Sequence, residues 1–393
     1  MAKPWRGSRR ALASAALALG LGIGGAAGAA EGQGVVIGQA FSLASEVLGE
    51  ERPLLVHLPR SYQRSPDTRF PVLYLLDAEA HFHHVTGLTD FLAAQGLAPE
   101  MIVVGVINTH RLRDFTAAPE ERAPGSGGAP GFLAFFRDEL VPWVEGRYRT
   151  APHRTLFGHS ATGNFGLWTL AEAPGLLDAV VAASPWVIWA DAHTVRHAEE
   201  RWRDRAPGAA FLYFTAGDEP ELLPDLERYV RLLRRRARGS LDWHYQPMPR
   251  DDHGSLVPAT LLDGLRRLYA GWRLPGEVTT LAGLRRHYAG LSERLGYPVT
   301  PPEAVVNLLG YRLLQAGARR EAVAVLAANA EAFPASANVH DSLGEALEAM
   351  GDLAGAAQRY ERAVGRGEAN GDLSTDAYRD HLTAVRRRLA TAP

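Results

Sequence analysis

Phe157-Gly158-His159-Ser160-Ala161-Thr162-Gly163 sets a serine between an apolar strand-like run, Arg154 to Phe157, and a helix-like run, Asn164 to Ala171. A serine on a sharp strand-to-helix turn lifts its hydroxyl above a sheet, where a base can deprotonate it. The N–H of the next residue, Ala161, then points to where an oxyanion forms. A Gly-x-Ser match is weak alone, because small residues are common at such turns. Two later features strengthen it: Asp218-Glu219 follows the strand pattern Phe211 to Phe214, and Asp252-His253-Gly254 follows Leu241 to Gln246. Serine, acid and histidine thus occur in an order that nucleophilic serine sites use.

A serine needs a base within hydrogen-bond reach. Of the 14 histidines, His253 is best placed, after a strand-like run and turn and before Gly254 and a helix. A histidine that only caps that helix is the alternative. A third group must fix the imidazole tautomer. Glu219 is favoured, since one residue beyond Gly217-Asp218 brings a side chain over the sheet edge. Asp218 is the alternative acid, and Asp252 is read as ordering its own loop. A second oxyanion donor is expected from the turn Asp77-Ala78-Glu79, at the N–H of Ala78.

Further side chains are candidates for substrate contacts: His159, Trp186, Trp189, Arg111 and Arg113. The tryptophans can wall an acyl or aromatic pocket or belong to the core. The arginines can clamp an anionic group or pair with Asp114 and neighbouring acids. His81-Phe82-His83-His84 invites a metal, but no third ligand or supporting partner is marked by spacing, so no metal and no cofactor is expected. The run is read instead as lining the oxyanion turn. Ala118 to Gly131 has turn composition throughout, which suits a mobile loop over the site.

The elements that must hold these residues are short runs rich in Val, Leu and Ile: 54–58, 72–76, 101–107, 155–157, 179–183, 210–215 and 241–246. Near-continuous apolarity suits strands buried on both faces. Helical patterns at 132–145, 164–173 and 222–236 separate the later ones. That alternation predicts an α/β fold, a mostly parallel sheet between helices. The first two runs have no helix between them and are expected to form an antiparallel pair.

The chain has 393 residues, a formal charge of −2 and no cysteine. Disulfides, thiolate metal sites and a cysteine nucleophile are excluded, and there is no general pull toward nucleic acid or anionic membrane. The basic run Arg231 to Arg238 is read as a solvated helix face. Lys3, Arg6, Arg9 and Arg10, the small apolar run Ala11 to Ala26 and Ala27-Gly28-Ala29 predict a signal peptide over 1–29 and an exported, periplasmic or secreted protein. No transmembrane anchor is expected after cleavage.

A main domain is expected over 34–274, then a connecting helix and Pro-rich linker over 275–302. Beyond it lies a repeat: Gly310 and Gly344, Leu313 and Leu347, Gly317 and Gly351, and Ala322 and Ala356 are each 34 residues apart. That period is the tetratricopeptide pattern of paired helices and assigns 303–390 to helical repeats. Two copies are too few to stand alone, so the array is expected to lean on the main domain. A protein partner is a candidate ligand for it.

Taken together, these motifs resemble the putative-esterase family of α/β-hydrolases, which includes esterase D-like and siderophore-ester hydrolases, and in particular its exported members with a tetratricopeptide tail. The matching pieces are Tyr74-Leu75-Leu76-Asp77, His81 to Gly87, Met101 to Val106, Asn108-Thr109, Arg113-Asp114, Gly158-His159-Ser160, Ser184-Pro185 with its tryptophans, and Asp252-His253-Gly254-Ser255. Asn307 to Tyr311, Asn329 and Phe333-Pro334 fit in the tail. The resemblance implies an α/β-hydrolase fold, hydrolysis of a small-molecule carboxylic ester, Ser160 as nucleophile and His253 as base. Glu219 carries over loosely, because the acid varies among such proteins. One departure is Thr162, where the family elbow Gly-His-Ser-x-Gly-Gly has glycine. A β-branched residue there is expected to crowd the approach of helix to strand. A degenerate hydrolase serving as a repeat-bearing scaffold, or an acyltransferase, are the alternatives.

Overall fold

The computed structural model describes residues 34–63, 65–237 and 239–391, so the expected signal peptide lies outside the described residues. Eight strands form one sheet: β1 (Gln39–Ser45), β2 (Glu50–His57), β3 (Phe70–Leu76), β4 (Ile102–Val106), β5 (Thr150–His159), β6 (Ala179–Ala183), β7 (Ala210–Ala216) and β8 (Leu241–Pro247). Their spatial order is β1-β2-β4-β3-β5-β6-β7-β8. From β4 to β8 every pair is parallel. This is the α/β-hydrolase arrangement that the motifs implied.

One pairing differs from expectation. The runs at 54–58 and 72–76 are not partners: β2 lies antiparallel between β1 and β4, and β3 runs parallel between β4 and β5. β1 was not anticipated because its sequence, QAFSLAS, is exposed or half-buried at most positions and offers no apolar run. As an edge strand it needs only one paired side.

The helices follow from the burial each face demands. They are α1 (Ala78–Ala94), α2 (Arg111–Phe115), α3 (Ala129–Phe135), α4 (Val141–Arg147), α5 (Ala161–Glu172), α6 (Trp189–Arg201), α7 (Leu223–Arg236) and α8 (Val257–Leu268). A single π turn, Phe136–Leu140, joins α3 to α4. Tyr74, Leu76, Leu156, Val180 and Phe214 face one side and pack on α3, α5, α6 and α7. Their sequence neighbours Leu73, Leu75, Phe157, Val181 and Tyr213 face the other and pack on α1 and α8. The strict alternation is the period of two of a strand buried on both faces.

The carboxyl-terminal part comprises α9 (Leu281–Leu295), α10 (Glu303–Gln315), α11 (Arg319–Ala332), α12 (Ala337–Met350), α13 (Leu353–Asn370) and α14 (Thr375–Thr391). The 34-residue spacing has a physical cause. A methyl on Gly310 would stand 2.5 Å from Leu326, and one on Gly344 would stand 2.6 Å from Tyr360. Gly317 and Gly351 end their helices at φ of 79° and 94°, a left-handed geometry that glycine adopts without penalty. Each repeat is a helical hairpin with a glycine where its helices touch and another where it turns. α9, Val306, Leu309, Leu313 and Val325 share one apolar cluster with α1 and α8. No helix among the described residues is long and apolar enough to cross a membrane.

Candidate active site

Ser160 sits between β5 and α5 at φ 60° and ψ −117°. A non-glycine residue there costs on the order of 1–3 kcal/mol and persists only where its surroundings over-determine it. Here Ser160 N–H donates to Ala183 O at 2.9 Å, and Ser160 O accepts from Trp186 N–H at 3.0 Å and Asn164 N–H at 2.9 Å. The turn is tight because Gly158 has no side chain: a methyl there would lie 2.5 Å from the carbonyl carbon of Thr162.

His253 and Glu219 meet at the same carboxyl edge of the sheet, from the loops after β8 and β7. His253 Nδ1 lies 2.5 Å from Glu219 Oε1. Glu219 is buried, and its other oxygen accepts from Ser184 Oγ at 2.5 Å and Gly217 N–H at 3.1 Å. Ser184 Oγ also lies 3.1 Å from His253 Nδ1. With Nδ1 held by the carboxylate, Nε2 is the nitrogen left to exchange a proton. No hydrogen bond joins Ser160 Oγ to the imidazole among the described residues; such bonds are often long before substrate binds. Both flanks of Ser160 nevertheless touch the histidine, through Ser184 and through His159 Nε2, 2.7 Å from His253 O. Asp218 is exposed and approaches the histidine loop only through its N–H on Asp251 O. Asp252 accepts from the N–H groups of Gly254 and Ser255, so it orders its own loop.

His159 packs against the His253 ring, centroids 4.5 Å apart. Burial, and secondarily the His253 ring, lower its pKa to about 4. It is therefore neutral, and with a carbonyl as partner its Nε2 carries the proton. Its observed role is to hold the loop that bears His253.

Ala161 and Ala78 are the first residues of α5 and α1, so their N–H groups are among the donors a helix leaves unpaired. Asp77, between β3 and α1, is left-handed at φ 56° and buried. Burial opposes its charge, but Arg111, Asn108 and Thr162 outweigh this and hold the carboxyl below its usual range. Arg111 grips it twice, Nε to Oδ1 at 2.8 Å and Nη2 to Oδ2 at 2.9 Å, and reaches His159 O at 3.2 Å. Asn108 Nδ2 donates at 2.6 Å and Thr162 Oγ1 lies 2.9 Å from Oδ2.

Several expectations change at this level. Arg111 and Arg113 are taken up by carboxylates of the chain, Arg111 by Asp77 and Arg113 by Asp114 and both oxygens of Glu50. The ion-pair alternative, not the anion clamp, is what the geometry displays. Thr162 does not crowd the helix–strand approach, which falls on Gly158 and Gly163; its side chain turns to Asp77 instead. His81 and His84 lie on the first turns of α1, with burial lowering the pKa of both. Trp189 is buried against Trp186, and its Nε1–H donates to Ala118 O at 2.8 Å. Ala190 N–H adds a bond to Glu120, and Gly127 N–H one to Thr116. The 118–131 segment, expected to be mobile, is thus pinned along its length. Ser184 and Asp77 went unassigned from sequence, though Ser184-Pro185 after an apolar run at the sheet edge was a usable signal. A cavity of about 1000 Å³ opens at the other, amino end of β3, lined by Phe70, Trp272, Val299 and Phe333.

Sheet order and a strained serine at the first strand-to-helix elbow after β5 define an α/β-hydrolase. The family model described as Putative esterase matches residues 45–212, the stretch from the end of β1 into β7. The ferri-bacillibactin esterase BesA of Bacillus subtilis (strain 168) is 31% identical over 164 residues, 36% of this chain and 56% of BesA. The chain thus spans little more than half the length of that relative. An IroE-like serine hydrolase from Shewanella oneidensis superposes with a TM-score of 0.65 at 27% identity, covering 71% of this chain and 95% of its own. An uncharacterised protein from Capnocytophaga ochracea DSM 7271 shares the fold over 89% of this chain and 99% of its own, at 18% identity and a TM-score of 0.59.

Proposed function

We propose that this chain is an exported serine esterase acting on a small-molecule carboxylic ester. The observation that carries the reading is Glu219 held 2.5 Å from His253 Nδ1 beside a strained Ser160. Ser160 Oγ attacks the ester carbonyl as His253 Nε2 takes its proton. The negative oxygen that forms is met by the N–H groups of Ala161 and Ala78. His253 returns the proton to the departing alkoxide, which leaves as the alcohol. Water, deprotonated by His253, then attacks the acyl-enzyme and releases the acid and free Ser160. Glu219 stabilises the imidazolium throughout, and Ser184 holds the second carboxylate oxygen. Export rests on the signal-like sequence over 1–29.

The scaffold alternative drew on Thr162 as a sign of decay. Its buried hydrogen bonds to both turns favour the enzymatic reading. A fluorophosphonate probe is expected to label the wild type and not Ser160→Ala, and short-chain aryl esters to be cleaved by the first alone. Ferri-bacillibactin, which the name of BesA points to, is the first natural ester to test. A wild type that is unlabelled and inert toward aryl esters sinks the proposal.

A further inference from the structure

Thr162 joins the two turns from which the oxyanion donors project. Its side chain is fully buried. Oγ1 accepts from His159 N–H at 2.8 Å and has two acceptors in reach, Asp77 Oδ2 at 2.9 Å and His159 O at 2.8 Å. A hydroxyl has one proton, and an ionised carboxylate is the stronger acceptor. Thr162 directly follows Ala161, and Asp77 directly precedes Ala78. The last residues paired between β3 and β5 are Leu75 and Phe157, so beyond them no ladder bond keeps these turns in register. The threonine–aspartate bond spans that gap from inside, while Arg111 spans it at the half-exposed rim through Asp77 and His159 O.

We propose that Thr162 is a positioning residue whose hydroxyl, through Asp77, sets the spacing of the Ala161 and Ala78 N–H donors. The inference rests on the esterase reading and adds to it a residue outside the reacting set. Oxyanion donors act only near 2.7–3.1 Å from the developing charge, and misplacement by about 1 Å can cost on the order of 100-fold in rate. The hydroxyl therefore acts on turnover and not on ground-state binding.

The test compares Thr162→Val, which keeps the shape and removes the hydroxyl, with Thr162→Ser, which keeps the hydroxyl. Each is measured for kcat and KM on an aryl ester and for affinity toward an aryl boronic acid, whose tetrahedral adduct occupies the oxyanion position. Thr162→Val should lose about 10- to 100-fold in kcat with KM within about threefold, and lose boronate affinity in parallel. Thr162→Ser should restore most of both. If the valine variant does not fold, Thr162→Ala against Thr162→Ser carries the same comparison. An active wild type whose hydroxyl-free variants keep kcat within twofold, or lose boronate and substrate affinity equally, overturns this inference alone. A wild type with no turnover overturns the esterase reading and this inference with it.

Discussion

His159 shows how one side chain beside the serine couples acidity to architecture. Its pKa falls from 6.5 to about 4 because burial penalises the imidazolium, and its neutral Nε2–H holds His253 O. Between those two values the unfolded chain binds a proton that the native chain refuses. Stability therefore rises with pH across that window and is lost as pH falls from about 6.5 toward 4. His159→Gln keeps an N–H donor and does not titrate. Urea unfolding midpoints at pH 7.5, 6 and 5 should fall less steeply for this variant than for the wild type. Equal slopes would show that the ring does not resist protonation in the fold. Ser184 belongs to the same scale: a fully buried hydroxyl between the acid and the histidine leaves Glu219 no unpartnered oxygen.

At the level of elements, the helical hairpins display opposite uses of glycine. Ala is favoured over Gly inside a helix by about 0.5–1 kcal/mol. At Gly344 a methyl would stand 2.6 Å from the Tyr360 ring, and such overpacking typically costs 1–3 kcal/mol, so packing outweighs propensity. At Gly290 in α9 a methyl meets nothing within 4 Å, and propensity is unopposed. Gly344→Ala should lower the melting temperature and Gly290→Ala should raise it. Melting curves moving the same way for both would remove close helix contact as the reason for the repeat. The same logic operates at the elbow, where Gly158 admits the helix backbone and Thr162, one side chain over, is free to face Asp77.

At the scale of the whole molecule, the tail shares a core with the sheet. Tyr288, Leu291, Leu295, Tyr297 and Val299 are buried in the cluster that also holds Met101, Leu265 and, from α10, Leu309 and Leu313. Ending the chain after residue 302 would bare this surface. Apolar burial contributes about 25 cal/mol per Å², so several large side chains amount to a sizeable part of a 5–15 kcal/mol stability. The truncated chain should melt well below the full one or aggregate. The full chain should unfold in one calorimetric transition that includes α9 and α10. Two separate transitions, with the truncated form unchanged in melting temperature, would argue against a shared core.

Local sequence was enough for the parallel strands, the elbow, the loops bearing Glu219 and His253, and the repeat period. Each writes itself within a few residues, as apolar runs, glycines at turns, or a spacing that recurs. It failed where a partner lies far along the chain. The pairing of β2 with β4, the edge strand β1, the pinned 118–131 segment, and the choice of Asp77 and Glu50 as partners of Arg111 and Arg113 all depend on contacts with no local signature. The bonds that shape the site span 35 residues from Ser184 to Glu219, 69 from Ser184 to His253 and 85 from Asp77 to Thr162. Backbone periodicity reports which way a side chain faces, whereas the identity of its neighbour is fixed only when the sheet brings strand ends together.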